Sequence, residues 1–312
     1  MPHPSDVKPP GASEFVALDW GTSSLRVARI GADGQVLEQH HSAEGIQHVA
    51  FGGFPAVFAA AVGRWRLAPG TLCLASGMVG SRQGWVEAPY CPCPADFRAV
   101  ASRIAWVPDA PGGLRVGIVP GLSTQVRGVP DVMRGEEVQV FGALRLQHLD
   151  EGVFILPGTH SKWVRVAQGR IMSFATFMTG EFYGLLRRHS IIGRTLPPED
   201  GPLDEPAFLR GVLHAREAGS LLHGAFSGRT LALFARLPDA ALPSYLSGLV
   251  IGEELRAHQL ENSDAHPVLV GADALTRRYQ LALTAHGVQS TVLGDAATWR
   301  GLAALAHILE LQ

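Results

Sequence analysis

Charge is what this chain has least of. Lys, Arg, Asp and Glu together supply 17% of its 312 residues, against roughly 25% in an average globular protein. The formal net charge is -2, and no segment gathers Lys and Arg into a cluster. The footprint expected of a nucleic-acid or anionic-membrane binder is therefore missing. Apolar runs are short as well, none reaching the ~18 residues that span a bilayer. Three cysteines cannot build a disulfide framework. Cys91 and Cys93 stand in a CPCP segment, but no second Cys or His pair at zinc spacing accompanies them. Reduced, structural thiols and a cytoplasmic location are the expectation. The start, MPHPSDVKPPGAS, lacks the apolar core of a signal peptide and reads as a disordered lead over 1–13. The phosphate-binding pattern G-x-x-x-x-G-K-[ST] is absent too.

What is present is apolar and repeated. Hydrophobic residues reach 46%, and the length suits two domains, each burying its own core. Phe15 to Leu18 reads as a strand, DWGTSS as a tight turn, LRVARI as a second strand, and Gln35 to Glu38 as a third after the GADG turn. A helix is expected near Pro55 to Trp65, strands in TLCLAS and LRVGIV, and a helix from Asp131 through EEVQVFGALRLQ. The pattern then restarts. GVFILPGTHSKWVRVAQGRIMSFATF gives strand, turn, strand, glycine turn, strand. Gly158 and Thr159 match Gly21 and Thr22, and Ser161 matches Ser24. Helices follow, then a late strand and helix in HPVLVGADAL. Two meander-plus-helix units stand in tandem.

A turn built twice from Gly, Thr and Ser suits one chemistry. Glycine lets backbone N–H groups approach a ligand without a Cβ in the way, and the hydroxyls add donors. Two such hairpins facing each other across a cleft could hold the phosphates of one nucleotide. Asp19, at the end of the first strand, is badly placed against bare phosphate but well placed against a hydrated Mg²⁺. Its alternative is to cap the hairpin as an Asx-turn residue.

The segments DWGTSSLR, SGMVGSRQGWVEAPYCPCP, PDVMRGEEVQ, LPGTHSKWV and FMTGEFYGLL resemble the 2-dehydro-3-deoxygalactonokinase family of the actin/hexokinase/heat-shock ATPase superfamily. The resemblance implies an α/β fold of two ribonuclease-H-like domains, with mixed sheets flanked by helices and a cleft between them. Their expected extents are 14–130 and 131–312. It implies transfer of the ATP γ-phosphoryl group to the terminal (C6) hydroxyl of 2-dehydro-3-deoxygalactonate, a small-molecule sugar acid, with ATP and Mg²⁺ as cofactors. By matching position, Asp19 would hold metal-bound water, while Gly21, Thr22 and Ser23 would line the first phosphate loop. Gly158, Thr159 and His160 would line the second, with Lys162 either reaching a phosphate or standing as a solvated strand lysine. Gly271 and Ala272 would sit under the adenosine, where Ala272 departs from the superfamily's glycine pair.

An anionic substrate calls for a cationic clamp, and an Arg fork suits a planar carboxylate. Arg82, with Gln83, Trp85, Glu87 and Tyr90 in one glycine-punctuated loop, forms the expected pocket, with Arg26 and Arg134 as fallback partners. Glu181 would bond a sugar hydroxyl, or simply favour the first turn of its helix. The hydroxyl must lose a proton. Asp131 is the first candidate acceptor because it stands before a helix, where it would equally serve as an N-cap. Glu136 and Glu137 are the alternatives. RGEEVQ also resembles a stretch in polyphosphate-hydrolysing relatives, so a phosphohydrolase, a kinase for another sugar or sugar acid, and a nucleotide-driven clamp or filament subunit stand as competing readings. The preferred epimer and assembly into a homo-oligomer are left open at this stage.

Overall fold

The computed structural model describes residues 13–258 and 266–311. Apart from Ser13, the expected N-terminal lead lies outside the described residues. Elements follow in chain order. The first half holds β1 (Phe15–Trp20), β2 (Leu25–Ile30), β3 (Val36–Ser42), α1 (Phe54–Val62), β4 (Leu72–Ser76), β5 (Cys91–Pro92), α2 (Phe97–Ala101), β6 (Ala105–Trp106), β7 (Arg115–Ile118), β8 (Leu122–Val126), β9 (Val129–Met133) and α3 (Glu136–Gln147). The second holds β10 (Gly152–Leu156), β11 (Ser161–Ala167), β12 (Arg170–Phe177), α4 (Thr179–His189), α5 (Glu205–Ala218), α6 (Leu221–Gly224), α7 (Ser227–Leu233), α8 (Leu242–His258), β13 (Val268–Val270), α9 (Asp273–Ala285), β14 (Thr291–Leu293) and α10 (Ala296–Glu310).

The two main sheets share one strand order. The first runs β3-β2-β1-β4-β7-β6 and the second β12-β11-β10-β13-β14. In the first, β1 pairs antiparallel with β2 and parallel with β4, and β4 pairs parallel with β7. In the second, β10, β13 and β14 are parallel. Third-second-first-fourth-fifth is the ribonuclease-H-like order, so both halves have that fold. A small sheet, β5-β8-β9, is added to the first.

Sequence explains the core. β1 (FVALDW) is almost wholly buried because it is central in its sheet, whereas the edge strand β3 (VLEQHHS) is largely exposed. Val16, Leu18, Trp20, Phe58 and Ile118 anchor one apolar cluster; Ile155, Trp163, Phe208, Leu269 and Tyr279 anchor another. Helix α5 starts where Asp204 accepts a hydrogen bond from the Ala207 amide, and ends at Gly219 in a left-handed conformation.

Compactness divides the chain differently from the expected break at 130/131. One unit extends to Glu151 and takes in Val164–Phe174 and the chain from Asp295 on; the other is Gly152–Trp163 with Ala175–Gly294. The reason lies in α3 and α10, which pack together. A Cβ on Gly142 would stand 1.7 Å from the Ala297 carbonyl oxygen, and one on Gly301 2.0 Å from that of Val138. Two helices in backbone contact belong to one core. The helix expected from Asp131 also starts later: Val129–Met133 is strand β9, and Gly135 (φ 105°) turns the chain into α3 at Glu136.

Candidate functional site

In the first unit the chemistry gathers where β1 and β4 end side by side. Asp19 stands opposite Ser76 in the parallel pair. Opposite Arg26 in the hairpin, its Oδ2 accepts from Nε at 3.0 Å and from Nη2 at 2.5 Å. Arg26 also donates to Asp295 across 2.8 Å and lies over the Trp299 ring. It thus pairs with two carboxylates, which leaves it less suited to the fallback role of substrate clamp. The turn between β1 and β2 closes with the Gly21 amide bonded to the Ser24 carbonyl, and leaves Thr22 and Ser23 exposed. The carbonyls of Gly21 and Thr22 accept from the amides of Ile46 and Gln47, which hold the turn from behind.

Beside this edge comes the start of α3. Gly135 approaches Gly77 closely, a Cβ there lying 3.3 Å from the Gly77 Cα. Glu137 is fully buried. One carboxylate oxygen accepts from the Gly135 amide at 2.7 Å and the other has no partner. Burial, then Glu136 next to it, pushes the Glu137 carboxyl up to about 8. The buried Ser76 hydroxyl also lacks a partner. Glu136 caps the chain just upstream, accepting from the Arg134 amide at 2.9 Å.

Arg134 is the cation here. Its guanidinium lies over the Tyr90 ring at 4.4 Å and donates one hydrogen bond to the Ala88 carbonyl at 2.9 Å, while buried Nε and Nη1 have no partner. The expected clamp fares differently. The Arg82 side chain is 88% exposed and pairs with Glu87 at 3.3 Å. Gln83 is exposed, and Trp85 packs on Trp20 and Phe58 as part of the apolar core. The loop's glycines place its tip in solvent, and only Tyr90 meets a buried cation. Asp131 is likewise displaced from its expected helix start. It pairs opposite Thr124 in the β8–β9 hairpin and accepts from the Val132 amide at 2.7 Å.

In the second unit the turn Gly158–His160 is braced by the start of α4. The Glu181 amide donates to the Thr159 carbonyl at 3.0 Å, and Gly180 lies against the turn. A Cβ at Gly180 would be 2.5 Å from the Gly158 oxygen, so only glycine permits this approach. His160 Nε2 meets Glu181 at 2.5 Å, which ties the Glu181 side chain to the turn. Lys162 is only 5% exposed and donates to Thr176 at 2.7 Å, so it is no solvated strand lysine. At the end of β13, Gly271 donates to the Leu293 carbonyl and Ala272 opens α9.

Reasoning from the sequence passed over Ser76, Gly180 and Glu254. A pair of acids at the end of the apolar run LSGLVIGEEL, Glu253 and Glu254, was the available signal for the last. Among the described residues no group of three or more His, Cys, Asp and Glu could hold a metal, and no helix is long and apolar enough to cross a membrane. Asp19 as a single carboxylate still fits Mg²⁺, which commonly takes one or two protein carboxylates plus phosphates and water. Burial pushes the Cys73 and Cys93 thiols up to about 12, as befits unreactive sulfur.

Two ribonuclease-H-like units, each with an exposed glycine turn after its first strand, are the architecture of the actin/hexokinase/heat-shock ATPase superfamily, and this chain is a member. Within it, the chain belongs to the 2-keto-3-deoxy-galactonokinase family, whose pattern it matches over residues 19–305. It is 38% identical to a Rhizobium meliloti (strain 1021) protein named as a probable 2-dehydro-3-deoxygalactonokinase, over 96% of this chain and 98% of that one. It is 35% identical to the 2-dehydro-3-deoxygalactonokinase of Escherichia coli (strain K12), over 95% and 98%. A crystal structure from Sinorhizobium meliloti, assigned as a 2-dehydro-3-deoxygalactonokinase, superposes with a TM-score of 0.87 at 36% identity, covering 95% of this chain and 99% of that one.

Proposed function

We propose that the chain is a sugar-acid kinase, a 2-dehydro-3-deoxygalactonokinase that phosphorylates the C6 hydroxyl of 2-dehydro-3-deoxygalactonate with ATP. The observation that carries this reading is the family match spanning both ribonuclease-H-like units. The local chemistry agrees with it. The turns Gly21–Ser23 and Gly158–His160 present exposed backbone and hydroxyl groups suited to phosphate oxygens, and Gly271–Ala272 would lie under the adenosine.

Asp19 would hold Mg²⁺, which when bound neutralises phosphate charge. Arg134 takes the substrate carboxylate, because it is the partly buried guanidinium beside the α3 start with unpartnered nitrogens. Glu137 accepts the proton as the sugar hydroxyl oxygen attacks the γ-phosphorus and the bond to the β-phosphate oxygen breaks, releasing ADP. A base with a pKa near neutrality suits that task. A phosphohydrolase would need a basic channel for polyphosphate, and the faintly acidic composition disfavours it.

An ADP-release assay over 2-keto-3-deoxy sugar acids and neutral hexoses tests the reading. The keto acids should turn over and the hexoses should not. Arg134→Ala should raise the sugar-acid KM by about tenfold or more, the cost of a lost charge-assisted hydrogen bond, while Arg82→Ala leaves it nearly unchanged. Equal turnover of hexoses would refute acid specificity.

A further inference from the structure

Behind the second turn lies a buried carboxylate that the chemistry above does not use. Glu254, in α8, is 2% exposed. One oxygen accepts from the Ser161 hydroxyl at 2.8 Å and the Trp163 indole N–H at 2.6 Å. The other accepts from the Tyr279 hydroxyl at 2.6 Å and from the Thr179 hydroxyl. All four donors are neutral. Burying a carboxylate without a cation is costly, and burial does raise the Glu254 carboxyl above its ordinary range. An apolar side chain would fill the space without that cost, but it could not gather the four donors.

Three of the four donors stand at an anchor of a segment assigned above to the nucleotide. Ser161 is the residue after Gly158–His160 and the first of β11. Thr179 opens α4 immediately before Gly180, the residue pressed against that turn. Tyr279 lies in α9, which Ala272 opens. Three chain segments distant in sequence therefore hang on one side chain.

We propose that Glu254 is a positioning residue that locks the second phosphate turn, the start of α4 and the adenosine turn into one preorganised nucleotide seat. The inference rests on the assignment of Gly158–His160 and Gly271–Ala272 to ATP. Glu254 touches no substrate. It acts through Ser161, Thr179 and Tyr279, and its effect falls on nucleotide affinity rather than on the sugar acid.

The test measures ATP-analogue affinity by calorimetry, KM for each substrate, kcat and melting temperature in the full-length protein. Tyr279→Phe keeps the ring and removes one donor. Its analogue Kd and ATP KM should rise about fivefold or more, as for a lost hydrogen bond to a charged group, with the sugar-acid KM within about twofold. Glu254→Gln keeps the shape, but the amide must turn its oxygen to the Trp163 N–H, which can only donate, and the Thr179 and Tyr279 hydroxyls must reverse to accept. It should show the same split, and Glu254→Ala a larger one. Should Glu254→Ala not fold, the other two variants carry the test. Melting temperatures that fall while nucleotide affinity stays at the wild-type level would overturn the inference, leaving a structural cluster. Equal rises in both KM values would also overturn it. A wild-type protein that binds no ATP analogue would instead sink the kinase reading itself, and this inference with it.

Discussion

Glu137 and Glu254 are both buried glutamates, and they are handled in opposite ways. Glu254 has both oxygens saturated by four neutral donors. Glu137 has one oxygen on the Gly135 amide and one with nothing. Burial raises both carboxyls above their ordinary range. The difference lies in what surrounds the charge. A fully solvated-by-protein carboxylate is architecture, since any movement breaks several bonds together. A half-satisfied one stores a cost that a proton or a substrate can relieve.

The largest expected effect puts that contrast to work. Glu137→Gln keeps an acceptor for the Gly135 amide and removes the base, so kcat should drop ~10²-fold or more with ATP binding retained. Asp131→Asn should turn over nearly normally. A dead Asp131→Asn beside an active Glu137→Gln would reverse the assignment, and a dead Glu136→Gln beside an active Glu137→Gln would move it by one residue. In the active enzyme kcat should rise with pH toward a plateau above about 8.

Stability sharpens the comparison next. The folded chain holds the Glu137 proton up to about 8, against an ordinary value of 4.5. Between those values it binds more protons than the unfolded chain, and stability falls as pH rises through that window. At pH 7 the loss is on the order of 3 kcal/mol. Melting temperatures from pH 5 to 8 should decline in the wild type and flatten in Glu137→Gln. An equal decline in both would assign the slope elsewhere.

The two turns differ as well as the two glutamates. Gly180→Ala drives a Cβ to 2.5 Å from the Gly158 oxygen, while at Gly21 the nearest atom to an added Cβ is 3.7 Å away. Gly180→Ala should therefore raise the ATP KM about tenfold, from overpacking of ~1–3 kcal/mol, and Gly21→Ala far less. Comparable effects would mean that the turns are braced alike. The smallest effect is expected at Asp295, whose side chain is 67% exposed in its pair with Arg26. Asp295→Ala should cost under about 1 kcal/mol in thermal unfolding, because Asp19 still holds the guanidinium.

Sequence by itself determined the repeat. Apolar strands broken by GTSS and GTHS announce two meanders because glycine turns and continuous buried strands are local properties. The glycine turns were legible for the same reason, and so was the helix through EEVQVFGALRLQ, though not its start. Tertiary structure decided which charges are occupied. Arg26 and Arg82 look as capable as Arg134 in a linear reading, yet strand register puts Arg26 against Asp19, an exposed loop gives Arg82 to Glu87, and of these three only Arg134 keeps buried nitrogens without partners. Asp131 reads as a helix cap until pairing with β8 claims it for a strand. Glu254 reads like its neighbour Glu253, one of two acids in a mostly apolar helix, and its four donors come from residues 161, 163, 179 and 279. Hydrogen-bond partners that far apart in sequence are brought together only by the packed fold, so no local pattern could have announced them.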